Sequence, residues 1–241
     1  MASTRFPGKP LAADTGRAMV LHVMDRAKAA TLVDRVLVAA PDQEIIDTVR
    51  QDGGDAMLTG DDHPNGTSRL AEVVERLGDE IDPGTTVVNV QGDEPELDPE
   101  AIDAVVTALE ADPEADMATI AAPWDPTDDP DDPAIVKVVH DQGHRALYFS
   151  RSRIPHVRDS RARESAMPLR HVGLYAYRAR FLARFADWPE SPLERLESLE
   201  QLRVLDHGGT IAVAVHPAGG VGIDTPEQYA AFVARWTARP S

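Results

Sequence analysis

The sequence predicts an α/β fold built on a mostly parallel sheet. Through the first half, short β-branched runs alternate with segments of helical period, and strands alternating with helices pair in parallel through right-handed crossovers. Past residue 123 the pattern changes to paired short runs around a turn signal, which reads as an antiparallel element set into that frame. The 241 residues, 42% of them hydrophobic, suffice for one large core. The simplest account is a single domain over 1–241 with an antiparallel insertion at about 124–177.

Taken in order, residues 1–11 have little to bury: Pro7, Gly8 and Pro10 stand among Ser3, Thr4, Arg5 and Lys9. This is a loop whose amides and cations suit a polyphosphate. Residues 35–40 read as a buried strand. Residues 42–51 read as a helix with Ile45, Ile46 and Val49 on one face, ended by Gly53 and Gly54. A second short strand follows at 56–59 and a loop at 61–66. Thr67 then stands where it can cap a helix striped by Leu70, Val73, Val74 and Leu77. Residues 86–90 are a β-branched strand running into Gln91-Gly92-Asp93-Glu94-Pro95, followed by a helix at 99–110 and a strand at 117–121.

Residues 125–132 are acidic and proline-rich, hence a loop. Runs at 135–140 and 145–149 flank Asp141-Gln142-Gly143-His144, a hairpin signal. Residues 154–166 are polar and read as an exposed excursion, 169–177 as a strand, and 192–205 as one leucine-rich helix. A last strand at 211–215 precedes a last helix at 225–235, where Thr225 and Gln228 form a capping box and Pro226 takes the first helical position.

The formal net charge of −17 argues against nucleic-acid and anionic-membrane partners. It also requires that any anionic ligand be met by local cations or a divalent metal. There is no cysteine, no apolar run of membrane length and no signal-peptide pattern, so a soluble cytoplasmic protein is expected. Asp93 emerges at the carboxyl end of a strand, where open α/β sheets hold ligands, although Gly-Asp-Glu-Pro reads equally well as a plain turn. Asp224 precedes a capped helix, whose dipole alone would favour it. Together the two carboxylates could hold a hard cation such as Mg²⁺. His171, Gly173, Tyr175 and Tyr177 share one strand face, which reads as a polar pocket wall or as a half-exposed strand. Glu194, Glu197, Glu200, Gln201 and Arg203 read as the solvated face of the leucine-rich helix. There is no P-loop, nucleophile elbow or tight histidine spacing.

Seven segments taken in order resemble one family. They are Ala2-Ser3-Thr4-Arg5-Phe6-Pro7-Gly8-Lys9-Pro10-Leu11, Asn65-Gly66-Thr67-Ser68-Arg69-Leu70-Ala71-Glu72, Val88-Asn89-Val90-Gln91-Gly92-Asp93-Glu94-Pro95, Ala146-Leu147-Tyr148-Phe149-Ser150-Arg151, His171-Val172-Gly173-Leu174-Tyr175, Leu199-Glu200-Gln201-Leu202-Arg203 and Gly222-Ile223-Asp224-Thr225-Pro226. The chain is similar, over essentially its whole length, to the 3-deoxy-manno-octulosonate cytidylyltransferase (CMP-Kdo synthetase) family. The resemblance implies a Rossmann-like nucleotidyltransferase fold and the joining of CTP and a 3-deoxy-ulosonic acid into a CMP-sugar with release of pyrophosphate. It implies a homodimer with the antiparallel element at its interface, and a place in lipopolysaccharide biosynthesis.

By the same resemblance, Lys9, Asp93 and Asp224 form the catalytic set. Arg5 and Lys9 hold the triphosphate, Asp93 and Asp224 hold Mg²⁺, and Asn65, Thr67, Arg69 and Gln91 contact the nucleotide. Arg151, His171, Tyr175, Glu200 and Gln201 contact the sugar acid. The alternatives are a cytidylyltransferase for a related acid, sialic-acid-like or an 8-amino sugar, and an inactive nucleotide-binding homologue. Two departures from the family pattern stand out. Ser68 and Asn65 replace its usual acidic residue and serine. Its opening apolar strand is not seen ahead of the loop, so the expectation is that such a strand belongs upstream of Met1 and that protein made from Met1 is poorly soluble or inactive.

Overall fold

The structure, a computed structural model, describes residues 6–159, 168–217 and 222–238. Arg5 and the stretch 160–166 of the expected excursion lie outside the described residues. The chain divides into two compact units, Met1–Gly78 with Asn89–Asp103 and Gly219–Ser241, and Asp79–Val88 with Ala104–Ala218.

The first unit carries α1 (Met19–Lys28), β1 (Leu37–Ala40), α2 (Gln43–Gln51), β2 (Asp55–Leu58), α3 (Gly66–Leu77), the start of α4 (Pro99–Ala111) and α8 (Pro226–Thr237). β1 and β2 pair in parallel, Leu37 opposite Asp55 through Ala40 opposite Leu58. α1 is absent from the sequence-based expectation for a physical reason. Met19, Val20, Leu21, His22, Val23, Met24 and Ala27 are all buried, so no single stripe stands out, and Ala18 offers no capping side chain. One side of α1 joins Ile45, Ile46 and Val49 of α2, while Met19 joins Ile223, Tyr229 and Phe232. α3 is capped by Asn65 rather than Thr67. The Asn65 side chain accepts from the Ser68 amide at 2.9 Å, and Thr67 is buried in the first turn. α8 begins as expected, with both halves of the Thr225–Gln228 capping box and Pro226 in place.

The second unit carries β3 (Thr86–Asn89) but for its last residue, the remainder of α4, β4 (Met117–Ala122), β5 (Lys137–His140), β6 (Ala146–Ser150), β7 (Leu169–Arg178), α5 (Ala179–Asp187), α6 (Pro192–Glu197), α7 (Gln201–Asp206) and β8 (Ile211–Val215). The sheet runs β6-β5-β7-β4-β8, with β3 also paired to β7. β4 pairs in parallel with β8 and is buried along its whole length. The ladders β4/β7, β5/β6 and β5/β7 are antiparallel, and each includes a strand from the segment expected to be so.

The β4/β7 register shifts between Thr119 and Ile120, where β7 bulges and the Thr119 hydroxyl lies 3.2 and 3.0 Å from the Val172 and Leu174 carbonyls. α5, also absent from the expectation, buries Phe181, Leu182 and Phe185. The single helix expected at 192–205 is two helices, α6 and α7. Ser198 breaks it in the left-handed region at φ 50, ψ 50, and Leu196 is left 82% exposed while Leu199 and Leu202 are buried. The cause is tertiary: side chains of β6 and the residue after it take hold of the break. Among the described residues no helix is long and apolar enough to cross a membrane.

Candidate functional site

Gly8 takes the left-handed conformation, φ 72, at the start of a short 3-10 turn over Lys9–Leu11. The turn buries Lys9 to 7% exposure. Its ammonium donates to Asp93 Oδ2 at 2.9 Å and to the Ile223 carbonyl at 2.6 Å, and reaches Asp224 Oδ1 at 3.5 Å. The two carboxylates come from opposite parts of the chain. Asp93 lies in the turn after β3, and its carbonyl accepts from the Ile223 amide at 2.8 Å. Asp224 stands before α8, its amide donating to Gln228 Oε1 at 2.7 Å. The loop, the strand-end turn and the helix start therefore meet on one buried cation, whose charge the two carboxylates more than balance.

Hard oxygen donors converging on a cation fit a Mg²⁺ site chemically, and Asp93 and Asp224 are the residues that could hold it. Glu94, which the sequence reading did not select, belongs to the same turn. Burial, and then the charge of Asp93, pushes its carboxyl up to about 7. The signal available for it was its place in the Gly-Asp-Glu-Pro turn.

The residues expected at the nucleotide group as follows. Asn65, Thr67 and Arg69 sit together at the start of α3. Arg69 donates to Thr59 Oγ1 and, at 2.8 Å, to the Gly60 carbonyl, tying the helix to the end of β2. His63 Nε2 lies 2.5 Å from Glu72 Oε2, which also accepts from the Gly60 amide at 2.9 Å. The His63 contact, followed by that amide, draws the Glu72 carboxyl down to about 2. Gln91 is exposed, two residues before Asp93.

In the second unit a small pocket is lined by Met117, Tyr175, Tyr177, Phe185, Glu200 and Gln201. Gln201 is 4% exposed, and its Nε2 has no hydrogen-bond partner among the described residues. A buried amide donor without an acceptor costs about 1–3 kcal/mol, which an acceptor entering the pocket would relieve. Burial, and then Tyr177 and Glu200, push the Tyr175 hydroxyl well above its ordinary range, so it remains a donor.

His171 lies one ring contact away, 5.6 Å from Tyr175 centroid to centroid. Burial pushes it down to about 3, so its imidazole is neutral near pH 7. Its Nε2 is 3.0 Å from Thr119 Oγ1. The Thr119 hydroxyl has a single proton and two backbone carbonyls in reach, so Nε2–H donates and Nδ1 keeps its lone pair. Met117 and Phe185 were not legible as pocket residues, because an apolar wall carries no chemical signature.

Arg151 is placed differently from the other expected sugar contacts. Its guanidinium donates to the carbonyls of Glu197 at 2.6 Å, Pro133 at 3.0 Å and Ser198 at 3.3 Å.

The sequence pattern of the cytidylyltransferase family matches residues 1–211. A 3-deoxy-manno-octulosonate cytidylyltransferase of Syntrophobacter fumaroxidans is 48% identical over 231 residues, 96% of this chain and 91% of that one. One of Sodalis glossinidius is 48% identical over 234 residues, 95% and 92% of the two chains. The solved structure of a CMP:2-keto-3-deoxy-manno-octonic acid synthetase complexed with CTP aligns with TM-score 0.89 at 37% identity, covering 98% of this chain and 94% of that one.

Proposed function

The chain belongs to the cytidylyltransferase family, among the 3-deoxy-manno-octulosonate cytidylyltransferases, and from that premise we propose that it activates 3-deoxy-manno-octulosonate (Kdo) with CTP. A hydroxyl oxygen of the sugar acid attacks the α-phosphorus, and its proton is released to solvent. The bond from that phosphorus to the bridging oxygen of the β-phosphate breaks, and pyrophosphate leaves. The observation that carries the reading is the meeting of Lys9, Asp93 and Asp224 on a chain so similar, end to end, to relatives named for this activity. Those names favour Kdo over a sialic-acid-like or 8-amino acid, and favour an active enzyme over an inactive homologue.

Phosphoryl transfer is chiefly positioning and charge stabilisation. Lys9 holds the two carboxylates in register and, with Arg5, answers the charge of the triphosphate. Mg²⁺ held by Asp93 and Asp224 supplies, when bound, the divalent charge that neutralises the phosphates. Asn65, Thr67, Arg69 and Gln91 contact the nucleotide. In the second unit the unpartnered Gln201 amide and the protonated Tyr175 hydroxyl donate to oxygens of the sugar acid. Glu200 accepts from its hydroxyls, and neutral His171 offers Nδ1.

The enzyme works as a cytoplasmic homodimer. Leu147 on the edge strand β6 is 61% exposed and Leu196 on α6 is 82% exposed, which supports a protein partner for this unit. The test is pyrophosphate release from CTP and Mg²⁺ with Kdo, with N-acetylneuraminate as a competing acid. Release with Kdo, abolished by EDTA and restored by Mg²⁺, is expected. No release with either acid overturns the reading, and activity indifferent to EDTA overturns the metal.

A further inference from the structure

The break between α6 and α7 is held by side chains from outside both helices. Glu197, the last residue of α6, accepts from the Ser150 hydroxyl at Oε1, 2.7 Å, and from the Arg151 amide at Oε2, 2.9 Å. The Arg151 guanidinium returns the contact through the carbonyls of Glu197 and Ser198. Behind them Lys137, 0% exposed on β5, donates to the carbonyls of Arg151 and Asp132, both at 2.7 Å. Ser198 itself sits at φ 50, a conformation a non-glycine residue keeps only where its surroundings impose it. Two and three residues further on, Glu200 and Gln201 enter the pocket wall.

We infer that Arg151, Glu197 and Lys137 are positioning residues for the sugar-acid pocket: they pin the Ser198 turn and thereby aim Glu200 and Gln201. The assignment rests on the function proposed above. It gives Arg151 a role acting through backbone carbonyls rather than on the sugar acid. A continuous helix through 198 would extend the stripe of Leu193, Leu196, Leu199 and Leu202 and carry Glu200 and Gln201 round at helical spacing. The brace replaces that geometry with a turn whose corner is fixed from β6. It spans a charged carboxylate with two donors and a guanidinium with three acceptors, contacts stronger and more directional than neutral ones.

The test compares wild type with Arg151→Met, with Arg151→Lys as the conservative partner. Ser150→Ala, which removes one hydrogen bond to Glu197, serves as the milder probe should Arg151→Met not fold. Two readouts are taken: KM for Kdo against KM for CTP, and amide exchange of Leu202 and Arg203, which bond to the carbonyls of Leu199 and Glu200, against exchange in β4. The expected result for Arg151→Met is a KM for Kdo raised at least tenfold, a KM for CTP within twofold, and Leu202 and Arg203 amides exchanging at least fivefold faster while β4 is unchanged. Arg151→Lys recovers part of each.

A raised KM for Kdo with unchanged amide exchange overturns the inference in favour of direct contact. Unchanged exchange with unchanged KM overturns it outright. The exchange measurement needs no turnover. A wild-type protein that releases no pyrophosphate refutes the proposed function alone, and exchange still decides the brace.

Discussion

Acid should weaken this fold through His171, and the size of the effect follows from its surroundings. The half-buried ring donates to Thr119 and is flanked by Phe149 and Tyr175, and burial holds it neutral down to about pH 3. In the unfolded chain the same ring titrates near 6.5. Between those two values the unfolded state binds a proton that the folded state refuses, so stability falls as pH falls, by about 1.36 kcal/mol per unit once the unfolded ring is fully charged. From about pH 7.5 to about pH 5 this amounts to about 2 kcal/mol, a sizeable part of the stability of an ordinary domain.

The perturbation is His171→Gln, which keeps an N–H for Thr119 but cannot titrate. Urea denaturation of both proteins across that range isolates the ring, because every other group titrates in both. The unfolding free energy of wild type relative to the variant should drop by about 2 kcal/mol between the two ends. A difference that stays flat with pH would refute the assignment of a neutral, desolvated His171. A difference that rises toward acid would show instead a histidine held charged by a partner.

Two further substitutions separate function from stability. Lys9→Met leaves Asp93 and Asp224 facing each other without their cation. Pyrophosphate release should fall by about 10³-fold, while urea denaturation changes by no more than about 1 kcal/mol because both carboxylates reach water; near-wild-type turnover would remove Lys9 from the site. Gln201→Leu deletes a buried donor that lacks an acceptor. Its unfolding free energy should stay level or rise by about 1 kcal/mol as turnover with Kdo falls at least tenfold, and a marked loss of stability would show that the amide serves the fold instead.

The elements that local signals specify were legible in the sequence. Thr225, Pro226 and Gln228 carry every mark of a helix start, and Asp141 to His144 every mark of a hairpin, and both are in place. α1 was not legible because burial on nearly all sides erases the stripe. α5 carries a stripe in Phe181, Leu182 and Phe185, but it is short and Arg178 supplies no cap. The leucine spacing at 193, 196, 199 and 202 is a true helical signal that tertiary bonds to Glu197 and Ser198 override. At the site, strand-end position drew attention to Asp93, and the helix start to Asp224 as a second carboxylate for a hard cation, while the resemblance is what made Lys9 a member of the same set. The wall formed by Met117 and Phe185, and the brace behind Glu200, depend on pairings of β4 and β6 that no local pattern announces.

The Lys9 clasp also orders events in the birth of the molecule. Its partners lie 84 and 215 residues along the chain. Closing so long a loop is entropically unfavourable until intervening structure has formed. A chain emerging from the ribosome presents Lys9 long before Asp224, so throughout the synthesis of the intervening residues the ammonium has no second carboxylate to meet. Nascent fragments should therefore lack the clasp even where α1, β1 and α2 have already packed, and it completes only as α8 arrives with Tyr229 and Phe232 against Met19. The clasp thus marks a chain folded through α8, which makes it a practical probe for arrested or truncated products.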